Sequence, residues 1–189
     1  KKNTIDPEKM IENFGADSVR LFILSDSPPE KDIQWSEEGI ISCFKFIQKL
    51  WSLHLKISGE IEKTHKKDSG KNLIKFTHQF IKKVTHNLNN FSYNVIVANL
   101  HEMYSVLSKE IENEYTKETI EENYRKILIA VLPIIPHFSN ECLSLLGTEI
   151  NIKWPSYDKV IIEEDFINIV VQKKKKKRGL IKTKKNIEE

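Results

Sequence analysis

LIKFTHQFIKKVTHNL, residues 73–88, decides the fold class. Leu73, Phe76, Phe80, Val84 and Leu88 recur every three or four positions, which lays one apolar stripe along a helix. Lys82, Lys83 and His86 fall on the opposite, polar face. A helix that buries one stripe needs neighbours, and the flanking sequence supplies them. Downstream, Tyr93, Val97, Leu100, Tyr104, Leu107 and Ile111 form a second stripe, and Ile120, Tyr124, Ile127 and Val131 a third. A short helix follows from Pro136 to Gly147. Upstream, Ser36 suits an N-cap with Glu37 and Glu38 in the first turn, and Ile40, Phe44, Ile47 and Trp51 mark one buried face. The polar stretch from Gly59 to Gly70 reads as a loop. The pattern predicts a mainly α protein, an antiparallel helical bundle with short connections.

Both ends differ from this middle. Asp6-Pro7 reads as an N-cap followed by Pro at the first helical position, and Gly15 as the stop of that helix. A second helix begins near Ala16 and ends at Pro28-Pro29. Beyond Trp154-Pro155 the period changes: Ile167, Ile169 and Val171 alternate with their neighbours as in a strand, and Leu180-Ile181 is the natural partner. A small α+β unit, truncated at the end of the chain, is expected there. The expected division is 1–35 for the entry helices and linker, 36–150 for the bundle, 151–165 for a linker and 166–189 for the last unit.

Composition excludes several classes. No apolar run approaches the roughly 18 to 20 residues that cross a bilayer, so a soluble chain with no membrane role is expected. The first residues, Lys-Lys-Asn-Thr, carry no initiator Met, signal peptide or transit-peptide character, which reads as an internal fragment. Cys43 and Cys142 form no CxxC pair and are expected as buried, reduced thiols, consistent with a cytoplasmic home. The formal charge is only +3, yet Lys173 to Lys177, Arg178, Lys182, Lys184 and Lys185 crowd one end. A basic end suits a polyanion, and equally a solvated surface.

Candidate chemistry is sparse. The six His residues show neither HxH nor HExxH spacing, and the glycines form no phosphate cradle. Adjacent acids such as Glu121-Glu122 point different ways on a helix. His137, between Pro136 and Phe138, reads as a helix-start residue rather than a base. No catalytic or metal site is expected. Binding is better supported: Lys1 and Lys2 precede a helix N-terminus, which favours phosphate, and Lys82, Lys83 and His86 add a second basic surface.

The ordered motifs go further. Asn3-Thr-Ile-Asp-Pro7 resembles the segment after the KMSKS signature of class I aminoacyl-tRNA synthetases, and Phe14-Gly-Ala-Asp-Ser-Val-Arg-Leu-Phe22 resembles their G-A-D-x-x-R helix. Pro28-Pro-Glu-Lys-Asp-Ile-Gln-Trp-Ser36, then Gly39 and the Phe46 to Trp51 stretch, is similar to the leucyl-tRNA synthetase pattern and unlike the isoleucyl and valyl ones. Lys83-Val-Thr-His, Phe91-Ser-Tyr-Asn94, Leu132-Pro-Ile-Ile-Pro-His137 and Trp154-Pro155 continue the bacterial-type leucyl order. The resemblance implies the C-terminal portion of a leucine–tRNA ligase, with the catalytic and editing domains upstream. It implies tRNA(Leu) as partner, a monomer, and leucine and ATP with magnesium as ligands of the intact enzyme only. Lys1, Lys2 and Asn3 would flank the ATP loop, and Arg20, Lys82, Lys83, His86, Lys176 and Arg178 are the tRNA-contact candidates. A free-standing tRNA-binding module, an isoleucyl- or valyl-type synthetase fragment and a helical protein scaffold are the alternatives. One departure stands out: the family's Asn-Gly turn after the first C-terminal strand is replaced by Lys174-Lys175, which carry a steric penalty at positive φ. The resemblance alone therefore does not carry over the hairpin or its contact with the tRNA elbow.

Overall fold

A computed structural model describes residues 5–25, 31, 34–63, 70–113, 115–147 and 152–162, and the backbone of 166–173 and 176–184. Lys1, Lys2 and Asn3 lie outside the described residues. The chain forms two compact units, residues 1–157 and 158–189.

The first unit is the helical bundle. Helix α1 (Pro7–Phe14) starts where Asp6 accepts the N–H of Glu8, and stops at Gly15, whose φ of 79° a side chain would resist. Helix α2 (Ala16–Ser25) follows at once. In α3 (Glu37–Ile61) the Ser36 hydroxyl accepts the Gly39 N–H at 3.1 Å, the expected cap. Then come α4 (Lys71–Asn89), α5 (Tyr93–Glu110), α6 (Lys117–Val131) and α7 (Pro136–Leu145). The three-residue connection between α4 and α5 forces them antiparallel. Phe91 in that turn takes the left-handed position, φ 53°, while the Ser92 N–H reaches back to the Asn87 carbonyl, the closure that ends many helices.

Helix α4 packs between α5 and α6, and α3 lies against α2 and α6. Phe80, Ile81 and Val84 of α4 meet Ile96 and Leu100 of α5 and Ile127 and Val131 of α6 in a continuous apolar core. The expected stripe of α6 is buried at every position named for it.

Two expectations need correction. The buried face of α3 runs through Ile40, Phe46, Leu50, Leu53, Ile57 and Ile61, whereas Phe44, Ile47 and Trp51 are only half-buried. This helix touches α1, α2, α5, α6 and α7, so it carries two apolar stripes, and the spacing from Ile40 tracked the shallower one. With Ile11, Phe14 and Phe138, those three residues line an open depression of about 920 Å³. Nor does the helix end at Gly59, because Ile57 and Ile61 continue the buried stripe past it. An added Cβ at Gly59 would meet nothing within 4 Å, so this glycine interrupts no packing.

The domain limits also shift. Leu21 and Phe22 of α2 are buried, so the 1–35 segment shares the bundle core and is not a separate piece. Likewise Ile152 and Tyr157 pack against the core, so the first half of the expected 151–165 linker belongs to the bundle.

The second unit holds α8 (Lys159–Ile162) and the strands β1 (Phe166–Lys173) and β2 (Lys176–Lys184), paired antiparallel. Ile169 stands opposite Ile181 and Val170 opposite Leu180, the pairing read from the sequence. The strands pair although Asn-Gly is missing between them. The turn residues Lys174 and Lys175 lie outside the described residues. Val171 pairs with Gly179 but Gln172 with Lys177, which leaves Arg178 as the extra residue of a bulge.

Candidate nucleic-acid interface

Two places in the bundle gather the residues singled out by sequence. The first is the corner where α2 meets the α6–α7 connection. Asp17 is buried, and its carboxylate accepts the N–H of His137 at 3.2 Å and the N–H of Phe138 at 2.6 Å. Helix α7 has no side-chain cap from its own sequence, so Asp17 caps it from a distance of 120 residues. The His137 ring closes the same contact, its Nδ1 lying 3.1 Å from Asp17 Oδ1. One turn along α2, Arg20 donates from Nε to the Ile134 carbonyl at 3.1 Å and from Nη2 to the Pro133 carbonyl at 2.7 Å. The acid holds donors and the base holds acceptors of one bend. Arg20, a tRNA-contact candidate by resemblance, thus has a structural task in the bundle.

Nearby, Phe22 meets the edge of Trp35 with ring centroids 5.0 Å apart. A Cβ on Gly39 would lie 2.6 Å from the Phe22 ring. The start of α3 can approach α2 only because position 39 has no side chain. The two family-like stretches, Phe14–Phe22 and Trp35–Gly39, are therefore two sides of one contact.

The second place is the outer face of α4. Its nineteen residues, KNLIKFTHQFIKKVTHNLN, contain no Asp or Glu. Lys71, Lys82 and His86 are exposed, and Lys75 is half-buried. At 100° per residue, 71, 75, 82 and 86 stay within one stripe opposite the core. The structure thus keeps Lys82 and His86 together and adds Lys71 and Lys75 to their line. Lys83 is a different case. One residue further round, its Nζ sits 2.8 Å from both carboxylate oxygens of Glu102 on α5. Its charge is already paired.

One aromatic residue joins the α4 face. Trp154 donates its indole N–H to Thr85 Oγ1 at 3.0 Å, and Thr85, three residues after Lys82, lies about 60° round the helix from it, on the flank of the stripe. The lysine spacing was available in the sequence by extending the stripe towards the N-terminus. The Trp154 contact was not, because it spans 69 residues. Lys176 and Arg178 lie on β2, in the other unit, and their side chains lie outside the described residues.

Burial biases three titratable groups of the core, His54, Tyr124 and Cys142, towards their neutral forms. His54 is buried, with Nδ1 3.1 Å from the Tyr124 hydroxyl and Nε2 3.4 Å from Ser58 Oγ. Burial lowers the His54 pKa, against the opposing pull of Glu141. Burial raises Tyr124 well above the usual phenol range, with Cys142 adding to it. Burial also pushes the Cys142 thiol up to about 12, although a hydrogen bond with Tyr124 acts the other way. A nucleophilic cysteine needs its pKa lowered, so this thiol serves packing. Both cysteines are free, Cys142 buried and Cys43 only half-buried. Among the described residues, no three His, Cys, Asp or Glu side chains gather as a metal-holding group.

Comparison with known proteins agrees with this geometry. The family described as the anticodon-binding domain of tRNA ligase matches residues 70–189. A leucine–tRNA ligase of Orientia tsutsugamushi (strain Boryong) is 40% identical over 185 residues, covering 95% of this chain and 22% of that protein. Leucine–tRNA ligases of Fusobacterium nucleatum, at 32% identity over all of this chain, and Fervidobacterium nodosum, at 36% over 96% of it, each match across 24% of their own length. The chain therefore spans between a fifth and a quarter of the curated relatives it matches. A solved ternary complex of Agrobacterium radiobacter K84 agnB2 LeuRS with tRNA and LeuAMS shares the fold, with a TM-score of 0.84 over 100% of this chain, 26% of that chain and 19% identity. The bundle that begins its matched region at Gly70, with α4 as its first helix, belongs to the anticodon-binding domain family of tRNA ligases.

Proposed function

We propose that this chain is the tRNA-holding portion of a leucine–tRNA ligase. The observation that carries the reading is the acid-free outer face of α4, where Lys71, Lys82 and His86 are exposed on one stripe. Its place in a chain matched along nearly its whole length by leucine–tRNA ligases supports the choice of tRNA(Leu) as the polyanion. Backbone phosphates are the natural counterpart of such a stripe, because ammonium groups on a rigid helix displace counterions without reading sequence.

In the whole protein the reaction would be activation of leucine by ATP with magnesium, followed by transfer of the leucyl group to the terminal ribose of tRNA. Among the described residues, His54, Tyr124 and Cys142 of the core are buried and biased towards their neutral forms, which suits packing. The part played by this chain is to fix the tRNA body while the acceptor end reacts elsewhere. No helix among the described residues is long and apolar enough to cross a membrane, and the proposed working place is the cytoplasm.

The test is a gel-shift titration of the 189-residue chain with a tRNA(Leu) transcript at two salt concentrations. Affinity is expected to fall about tenfold or more between 50 and 200 mM salt, the signature of several phosphate contacts. Absence of binding at low salt would sink the proposal. Leucine-dependent ATP–pyrophosphate exchange by this chain alone would overturn the assignment of the chemistry to other parts of the enzyme.

A further inference from the structure

Trp154 leaves 42% of its surface to solvent, although its single polar group is already satisfied by Thr85. What faces water is therefore ring. The segment that carries it is fixed on both sides, since Pro155 is buried and Ile152 and Tyr157 pack against the core. The hydrogen bond to Thr85 sets the indole against the flank of α4, beside the stripe that carries Lys82 and His86, on a helix with no carboxylate. An apolar protein surface docking here would have to strip water from the exposed Lys82 ammonium, at a cost that contact with one ring does not offset. A nucleotide meets both demands, because its base stacks on the ring and its phosphate meets the cation.

We infer that Trp154 is a base-stacking residue, which takes an unpaired nucleotide of the bound RNA on its exposed face while Lys82 holds a neighbouring phosphate. The inference rests on the reading of α4 as a tRNA surface and deepens it. Phosphate contacts alone grip any helical RNA, whereas a stacking ring requires a base that is out of its own stack. The interface then selects for a loop or bulge of the RNA, not only for its charge.

The test uses the full chain, a tRNA(Leu) transcript and a fully paired RNA duplex of equal length. Trp154→Ala is expected to weaken tRNA binding about 5- to 150-fold, the usual loss for one stacked base. The slope of log affinity against log salt should stay unchanged, since no cation is removed. Lys82→Ala should instead lower that slope by about one. Tryptophan emission should quench on saturation with tRNA in the wild type but not in Trp154→Phe, where Trp35 and Trp51 remain as internal controls. The duplex should bind without the quench. Should Trp154→Ala lose its cooperative melt, the quench difference between wild type and Trp154→Phe decides alone.

Two results would overturn the inference while leaving the α4 reading intact. One is salt-sensitive binding by the wild type with Trp154→Ala, still folded, within twofold of it. The other is a full quench that persists in Trp154→Phe. If the wild type binds neither RNA at low salt, the tRNA reading and the stacking inference fail together.

Discussion

The α2–α7 corner and the outer face of α4 are built on opposite terms. The corner is dense in family-like motif: Asp17 and Arg20 from one stretch, Pro133 to Phe138 from another, Trp35 and Gly39 from a third. There the charged groups are used inside the fold, holding backbone donors and acceptors of a single bend. The α4 face carries little motif, and Lys71, Lys82 and His86 are exposed on it. Residues that make a chain recognisable are here the ones that hold it together, while the surface proposed to meet tRNA is defined by what it lacks, namely carboxylates. The two regions should therefore respond to mutation in different observables: stability at the corner, binding on the face.

The sharpest way to break this contrast is Asp17→Ala. It removes the distant cap of α7 and leaves two N–H groups near the protein interior without their acceptor, at about 1–3 kcal/mol for the desolvated groups. Loss of about 2 kcal/mol should lower the melting temperature by several degrees in a chain of this size. Binding of tRNA, measured well below that temperature, should be nearly unchanged. A variant that melts like the wild type but binds tRNA poorly would move Asp17 from scaffold to interface.

Gly39→Ala probes the same corner by shape. The new methyl would meet the Phe22 ring at 2.6 Å, and overpacking of this kind costs about 1–3 kcal/mol unless the ring can turn aside. Phe22 is wedged against Trp35, so its freedom to turn is limited. Pairing Gly39→Ala with Phe22→Leu should recover part of the loss; an unchanged melting temperature for the single variant would show that the ring does have room.

Much of the corner was legible as pattern and not as purpose. Asp6, Ser36 and Gly15 were readable as caps and a stop, because those signals lie within a turn of the helix they serve. The stripe of α6 was legible for the same local reason. Helix α3 was misread at both its face and its end, since a helix packed against five others shows more than one apolar stripe and passes through Gly59 undisturbed. The role of Asp17 needed the fold, because its partners are 120 residues away. On the α4 face, Lys82 and His86 were visible from spacing, but the pairing of Lys83 with Glu102 and the seat of Trp154 on Thr85 are tertiary facts.

Acid sharpens the contrast from inside the core. Burial lowers the His54 pKa, so the unfolded chain, with its ordinary histidine, binds this proton more readily than the folded one. The sign follows: the stability from His54 is complete above the unfolded value, near 6.5, and is lost as pH falls from there towards the folded value. The melting temperature should drop between about pH 7 and pH 5, and the drop should shrink in His54→Asn, which keeps a polar group near Tyr124. An equal drop in both proteins would assign the effect to other groups.

The smallest effect tests the α4 face by its exception. Lys83 and Glu102 form an exposed pair, with side chains 46% and 43% accessible, and such pairs contribute only about 0–1 kcal/mol. Lys83→Ala should leave stability nearly unchanged. It should also cost less tRNA affinity than Lys82→Ala, because its charge is already answered by a carboxylate and points away from the stripe. Glu102→Gln is the more telling variant. It frees the Lys83 ammonium without moving the helix, so tRNA should bind somewhat more tightly, with a salt slope steeper by a fraction of one unit up to about one. If Glu102→Gln instead weakens binding, the acid is itself part of the interface, and the division between a paired flank and an open basic stripe on α4 does not hold.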